Sequence, residues 1–169
     1  TTLLMLDVEH EQLLINYIQV GIDLHAMARN GSYWGTAGGG IGVGRKWPIL
    51  FAGTLFNDSS MAAIGFDTNT YFGEDSQTFI VDQSTLDRTY EAGFGGYTED
   101  HLTIPEYGIR HATRPTIDDV RWDESAYRRC CTANAWGGFA LSALIMNLRD
   151  QWNHDPLFDY LDRYMSIEE

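Results

Sequence analysis

Hydrophobic and polar positions near the start of the chain alternate with the period of a helix. Apolar side chains recur three and four residues apart between positions 9 and 29, with polar side chains between them. This spacing predicts an amphipathic helix over residues 9–29. Asn30 and Gly31 follow it, and both residue types tolerate the left-handed conformation that ends many helices.

A second helix is predicted over residues 45–56, where nearly every position is apolar. Pro48 stands near its start, and proline is accepted in the first turn of a helix. A helix that is apolar all round is buried on all sides. An amphipathic helix followed by a buried one therefore predicts the outer and inner members of a helical hairpin. Further helices are expected from their caps and apolar spacing at residues 57–64, 126–148 and 155–165.

Residues 65–125 lack helical periodicity. They are rich in Gly, Thr and Asp, and one short run at 78–81 has the composition of a strand. Long irregular segments inside compact domains are usually functional or disordered. The aromatic and arginine residues of this segment favour order. The predicted fold is mainly α, with helical hairpins and a long irregular loop region in a single domain, residues 1–169.

Composition limits the classes of partner. The chain has 169 residues, 44% of them hydrophobic, which is enough for one domain with a core. Its formal charge of −13 disfavours nucleic acid, because two polyanions repel each other. No run approaches the roughly 20 apolar residues of a membrane-spanning helix. We therefore expect neither a nucleic-acid nor a membrane partner, and the oligomeric state stays open.

The basic residues are concentrated in one part of the sequence. They comprise ten arginines and one lysine, and half of the arginines fall between residues 110 and 129. These are Arg110, Arg114, Arg121, Arg128 and Arg129. They can form a local cationic site, or they can pair with the acidic residues at 118, 119, 123 and 124. The sequence leaves both readings open.

The two cysteines, Cys130 and Cys131, are adjacent in the sequence. A disulfide that closes so short a loop removes little entropy from the unfolded chain. We therefore expect two buried thiols in a helix rather than a redox pair.

The segment 35–44 is a glycine-rich loop that leads into Arg45 and Lys46. It is not a P-loop, because Trp47 stands where that motif needs a hydroxyl and no strand precedes the loop. Glycine does allow a backbone to approach a ligand closely. A plain loop and a ligand-lining loop, with Arg45 as a contact, both stay open.

Two further segments carry candidate chemistry. In the first, His101, Glu106 and His111 match no metal-ligand spacing, so we expect no metal and no cofactor. Tyr107, Arg110 and His111 are expected to face a cleft.

In the second segment, Tyr127 and Arg128 begin a helix, and Asn134 lies two turns further on. Guanidinium groups near a tyrosine favour its phenolate form, and such a tyrosine can take and return a proton. The alternative is a tyrosine that simply packs on the surface.

Residues 152–155 read Trp-Asn-His-Asp. His154 and Asp155 could form a proton-relay pair. However, Asp155 before Pro156 is also a common way to begin a helix, and we favour this structural interpretation.

Four strings together resemble the α/α-toroid polysaccharide lyases that cleave alginate or glucuronan. They are Gly-Arg-Lys-Trp-Pro-Ile-Leu-Phe-Ala-Gly (44–53), Tyr-Gly-Ile-Arg-His (107–111), Tyr-Arg-Arg-Cys-Cys-Thr-Ala-Asn-Ala-Trp (127–136) and Trp-Asn-His-Asp (152–155). The resemblance implies a ring of helical hairpins, of which this chain would be a C-terminal part. No signal peptide is visible; if a preceding segment carried one, the protein would be secreted or periplasmic.

The resemblance also implies a reaction, β-elimination on an anionic, uronic-acid polysaccharide. Carried onto this sequence, Tyr127 would be base and acid, and Arg121 would neutralise the sugar carboxylate, which a guanidinium matches bidentately. His111 would assist. Arg110, Asn134, Tyr107, Arg128 and Arg45 would bind substrate.

Two other functions stay open. A glycoside hydrolase on the same toroid needs two carboxylates across its cleft. The candidates are Glu74, Asp75, Glu106, Asp118 and Asp119. A non-catalytic carbohydrate-binding or structural fragment is the other possibility.

Overall fold

The computed structural model describes residues 10–34, 38–88, 97–108 and 128–168. Helical residues make up 66% of this part of the chain, which confirms a mainly α protein. The elements in chain order are α1 (Glu11–Arg29), α2 (Lys46–Phe56), α3 (Ser59–Ala62), α4 (Gly73–Gln77), β1 (Thr78–Ile80), α5 (Gln83–Asp87), β2 (Pro105–Tyr107), α6 (Ala133–Ile145), α7 (Arg149–Trp152) and α8 (Asp155–Glu168). Short 3₁₀ turns lie at Ile64–Phe66 and Glu99–His101, and a π-helical turn lies at Arg128–Thr132.

Helices α1 and α2 form a hairpin. The bounds of α1 agree with the predicted helix, and Gly31, with a φ of 77°, follows it as a left-handed glycine. Inside α1, Gly21 is buried. A Cβ at this position would lie 2.2 Å from the carbonyl oxygen of Pro48 in α2. The absence of a side chain at Gly21 therefore allows the backbones of α1 and α2 to lie close together.

Burial of α2 is confirmed over most of its length. Every residue from Lys46 to Gly53 is buried, whereas Leu55 and Phe56 in the last turn are exposed. Asn57, with a φ of 54°, follows the helix. The next helix, α3, starts with a side-chain cap, because the Asp58 carboxylate accepts a hydrogen bond from the Met61 backbone N–H at 3.0 Å.

The core is built around large aromatic side chains. Tyr160 of α8 contacts both Tyr107 of β2 and Trp136 of α6, with ring centroids 5.7 Å and 5.6 Å apart. Phe139 stacks on Trp152 at 5.7 Å. Through these contacts, α6, α7 and α8 pack against each other and against the short sheet.

The segment predicted to be irregular contains short regular elements. Strands β1 and β2 pair antiparallel, with Phe79 opposite Glu106, and the strand predicted at 78–81 is confirmed as Thr78–Ile80. The helices α4 and α5 were not predicted, because a helix of five residues is too short to show periodicity. Residues 89–96 and 109–127 lie outside the described part of the chain.

The cysteines differ from the expectation. Cys130 and Cys131 are joined by a disulfide, and Cys130 is exposed. The prediction of two buried thiols is therefore wrong. Chain entropy governs how much a short disulfide loop stabilises the fold, whereas the local backbone, here a π-helical turn, governs whether the sulfur atoms meet.

Among the helices of the described segments, none combines the length and the apolar composition needed to cross a membrane.

Candidate functional site

The three predicted catalytic residues, Tyr127, Arg121 and His111, lie outside the described residues, as does the predicted substrate contact Arg110. Arg128 is described by its backbone, which begins the π-helical turn. The structure therefore locates three of the predicted site residues in full, namely Asn134, Tyr107 and Arg45.

Asn134 lies in the first turn of α6 and is exposed. Its Oδ1 atom accepts a hydrogen bond from the Tyr164 hydroxyl at 3.0 Å. Both residues line a groove of about 310 Å³ between α6 and α8, whose other walls are mainly apolar side chains such as Leu141, Leu144 and Met165. Asn134 is thus held in place by α8 and is accessible from this groove.

Tyr107 was predicted to face a cleft, and the structure places it in the core instead. Its side chain is completely buried, and its ring lies edge-on to Trp136 with centroids 6.4 Å apart. The Tyr97 hydroxyl donates a hydrogen bond to the Tyr107 carbonyl oxygen at 2.9 Å. Because β2 pairs with β1 and is covered by α8, the ring of Tyr107 points into the protein.

Arg45 is half-buried at the end of the glycine-rich loop. Its Nη1 atom donates a hydrogen bond to the carbonyl oxygen of Val43 at 2.6 Å. Part of this guanidinium therefore holds the conformation of its own loop.

A buried polar cluster, which the sequence did not reveal, lies directly beneath this loop. We call Lys46, Glu74, Asp75, Trp152 and His154 the lysine cluster. Lys46 is only 1% exposed, forms an ion pair with Asp75, and donates a hydrogen bond from Nζ to the Trp152 carbonyl oxygen at 2.8 Å. The Trp152 indole N–H donates to the other oxygen of Asp75 at 3.0 Å. The ammonium is thus compensated by a carboxylate and a carbonyl, as a buried charge requires.

Glu74 connects this cluster to the glycine-rich loop. Its carboxyl oxygens accept hydrogen bonds from the backbone N–H groups of Gly44 and Lys46, both at 3.2 Å. Burial, and secondarily the charge of Asp75, raises the pKa of Glu74 to about 7. Gln77, on the same helix, accepts from the Gly39 N–H at 2.8 Å. Helix α4 therefore fixes the loop through two side chains.

His154 is fixed by Thr78 and not by its neighbour in the sequence. Its Nε2 atom lies 2.9 Å from the Thr78 hydroxyl and 3.0 Å from the Thr78 carbonyl oxygen, and burial lowers its pKa. Asp155 accepts a hydrogen bond from Arg149 Nε at 2.8 Å. These separate partners agree with the structural interpretation of the 152–155 string.

The geometry gives the lysine cluster a structural role. Lys46, Asp75 and Trp152 are paired with one another, whereas Glu74 accepts from backbone N–H groups and His154 bonds to Thr78. Lys46 and Glu74 are buried and therefore inaccessible to a polymer. The sequence carries one hint of it: Lys46, the sole lysine of the chain, stands in the first turn of an apolar helix, where a cation is disfavoured. This hint does not identify the partners of Lys46, which come from distant parts of the chain.

The carboxylates considered for a hydrolase are also engaged within the fold where the structure describes them. Glu74 and Asp75 belong to the lysine cluster. Glu106 is buried and accepts a hydrogen bond from Arg163 Nη1 at 2.6 Å. Asp118 and Asp119 lie outside the described residues.

In the described segments, no group of three His, Cys, Asp or Glu side chains is arranged to hold a metal ion.

Comparisons with protein-family models, with curated proteins and with solved structures gave no match to this chain.

Proposed function

We propose that this chain is part of an α/α-toroid polysaccharide lyase that cleaves a uronic-acid polysaccharide by β-elimination. The main support for the proposal is the contact between the four strings, which are distant from one another in the sequence. Lys46, from string 44–53, donates to the carbonyl oxygen of Trp152, from string 152–155. Tyr107 and Trp136, from the other two strings, are in ring contact. The described parts of the four strings thus contribute to one packed core, as expected if the strings define a family fold.

The α1–α2 hairpin supports the toroid part of the proposal. A toroid of helical hairpins needs an inner helix that is buried and an outer helix with one apolar face. Helix α2 is buried from Lys46 to Gly53, and α1 packs on it through residues such as Tyr17, whose ring lies 5.5 Å from that of Phe51.

In the proposed reaction, Arg121 binds the carboxylate of the uronic acid and disperses the negative charge that develops when the C5 proton leaves. Tyr127, as phenolate, removes that proton. The electron pair of the C5–H bond forms a C4–C5 double bond while the C4–O glycosidic bond breaks. The leaving oxygen takes a proton from Tyr127, with His111 assisting the transfer.

Nearby groups would bind the sugar. Arg110 and Arg128 supply positive charge, which the chain needs because its net charge of −13 otherwise repels a polyanion. Asn134 directs its amide oxygen to Tyr164, and its amide N–H₂ can donate to a sugar carboxylate or hydroxyl.

The test is the ultraviolet absorbance of an unsaturated uronate during incubation with alginate, glucuronan and related polymers. Tyr127→Phe removes only the hydroxyl, and Arg121→Lys keeps the charge but removes the bidentate geometry. We expect the wild-type protein to raise the absorbance and Tyr127→Phe to lower the rate by a factor on the order of 100 or more.

A matched control is Tyr33→Phe. Tyr33 is 60% exposed and stacks on Tyr71, so its hydroxyl is not expected to affect elimination. Full activity of Tyr127→Phe would contradict the assigned base. Reducing ends without absorbance would indicate hydrolysis, and a folded protein without any product would indicate a binding or structural fragment.

A further inference from the structure

The disulfide between Cys130 and Cys131 lies in the π-helical turn Arg128–Thr132, directly before α6. In a regular α-helix, side chains of adjacent residues do not face each other. A bond between neighbouring cysteines is therefore at odds with α-helical geometry at this position. The non-α backbone and the disulfide occur together, and each favours the other.

The turn is distinct from the helix that follows it. Thr132 has φ −119° and ψ −86°, far from the α-helical values of about −63° and −42°. Its side chain is fixed in the interior, where Oγ1 lies 3.0 Å from the Tyr160 hydroxyl. The C-terminal end of the turn is thus anchored to α8.

The disulfide is accessible, and the glycine-rich loop lies beside it. Cys130 is exposed and Cys131 is partly buried. A Cβ at Gly40 would lie 3.4 Å from the Cys131 carbonyl oxygen and 3.1 Å from the Ala135 Cβ. A change in the backbone of the turn would therefore reach both the loop and the start of α6.

A bond between neighbours contributes little to global stability, because the loop that it closes is minimal. Its reduction is therefore expected to leave the fold intact. Exposed disulfides are also the ones most readily exchanged with small thiols. Because it is accessible and contributes little to the stability of the fold, this bond differs from a structural disulfide.

We propose that Cys130–Cys131 is a reducible pair that sets the conformation of the turn Arg128–Thr132. A small dithiol reduces it: the S–S bond breaks, the two sulfur atoms gain two electrons and two protons, and the reagent leaves as its own disulfide. The turn can then become α-helical and extend α6. The reduced pair is also a site for a trivalent arsenical, since an arsenoxide forms two As–S bonds with loss of water. Any effect on catalysis rests on the proposed function, because Tyr127 immediately precedes this turn.

Thiol counting tests the bond directly, because the chain has only these two cysteines. The air-oxidised native protein is treated with a thiol-specific disulfide reagent before and after mild reduction by dithiothreitol. We expect no reactive thiol before reduction and two afterwards, with the circular dichroism spectrum of a folded helical protein in both states. Two reactive thiols before reduction would overturn the proposal, as would thiols that appear only in denaturant.

Phenylarsine oxide then tests the reduced pair. Mass spectrometry should show one arsenical per reduced chain and none on the oxidised chain. The variants Cys130→Ser and Cys131→Ser each retain one thiol and should lose the stable adduct. An adduct that persists in either variant would show that the two sulfur atoms do not act together.

Amide hydrogen exchange tests the change of conformation. Reduction should alter exchange in the peptide that contains residues 128–135 and leave exchange in α2 unchanged. Identical exchange of the 128–135 peptide in both states would overturn the conformational part of the proposal. These readouts do not depend on lyase activity, so failure of the proposed function would be recognised separately, by the absence of product in both redox states.

Discussion

Replacing Glu74 by glutamine should abolish a defined part of the pH dependence of stability. Glu74 is completely buried, and burial is the main reason why its pKa rises from an ordinary value of 4.5 to about 7. At 1.36 kcal/mol per pKa unit, this rise corresponds to about 3 kcal/mol. Glutamine has nearly the same volume and does not titrate.

The direction of this pH dependence follows from the ionisation of Glu74 in the folded and the unfolded chain. Below about pH 4.5 the carboxyl is protonated in the folded and the unfolded chain, and its full contribution to stability is present. Above that pH the unfolded chain ionises freely, whereas the folded chain resists ionisation until about pH 7. The contribution is therefore lost as the pH rises through this window.

Glutamine introduces one constant penalty. Gly44 and Lys46 each donate a backbone N–H to a carboxyl oxygen of Glu74, and an amide nitrogen cannot accept one of these bonds. That loss costs about 1–3 kcal/mol and does not vary with pH. The informative quantity is therefore the difference in unfolding free energy between variant and wild type, measured at several pH values.

Chemical denaturation followed by circular dichroism provides this difference. Between about pH 5 and about pH 8 it should move in favour of Glu74→Gln by about 2.5 kcal/mol. Other titrating groups, His154 among them, are present in both proteins and cancel. The exposed Glu99 offers the matched control Glu99→Gln, which makes the same chemical change at the surface, outside the lysine cluster. A constant difference for Glu74→Gln, or a shift in favour of the wild type, would show that burial does not raise the pKa of Glu74.

Two further predictions concern stability and are checked by the same denaturation experiment. Gly21→Ala should destabilise the fold by at least about 2 kcal/mol, because its Cβ would meet the Pro48 carbonyl oxygen. Gly137→Ala has no atom within 4 Å of the new Cβ and should stabilise α6 by up to about 1 kcal/mol. Equal effects of the two variants would contradict the described packing. Lys46→Met should cost about 3 kcal/mol because it leaves Asp75, which is 23% exposed, without its buried partner. The surface ion pairs of Arg149 should each contribute no more than about 1 kcal/mol. If Lys46→Met lowered the free energy of unfolding by no more than a surface ion pair contributes, the Lys46 ion pair would not be buried as described.

The long helices were predictable because their signals are local. Helix α1 shows its apolar face over several turns and ends before Gly31, and α2 is apolar at almost every position. These patterns are visible without knowledge of any partner. The strand Thr78–Ile80 was predictable from its composition for the same reason.

The lysine cluster was not predictable because it depends on contacts between distant parts of the chain. Lys46 and Trp152 are separated by 106 positions, and Glu74 lies on a helix of five residues. The sequence suggested Glu74 and Asp75 only as carboxylates for a hydrolase. Their roles in holding the glycine-rich loop and the buried ammonium follow from the fold.

The candidate site was predictable only as a set of residue types. Asn134 does lie at an accessible groove, but Tyr107, expected in a cleft, is part of the core. A tyrosine in a polar loop and a tyrosine in a short strand covered by a helix look alike in a sequence. The disulfide was missed because adjacency alone does not specify the backbone between two cysteines.

The masses of the products formed from a uronic-acid oligosaccharide of known length distinguish elimination by a tyrosine base from hydrolysis. Elimination divides the oligosaccharide without adding water, so the fragment masses sum to the mass of the substrate. Hydrolysis adds one water per cleavage. We expect fragments without added water from the wild-type protein and none from Tyr127→Phe. Fragments that carry the added water, or unchanged cleavage by Tyr127→Phe, would contradict elimination by Tyr127.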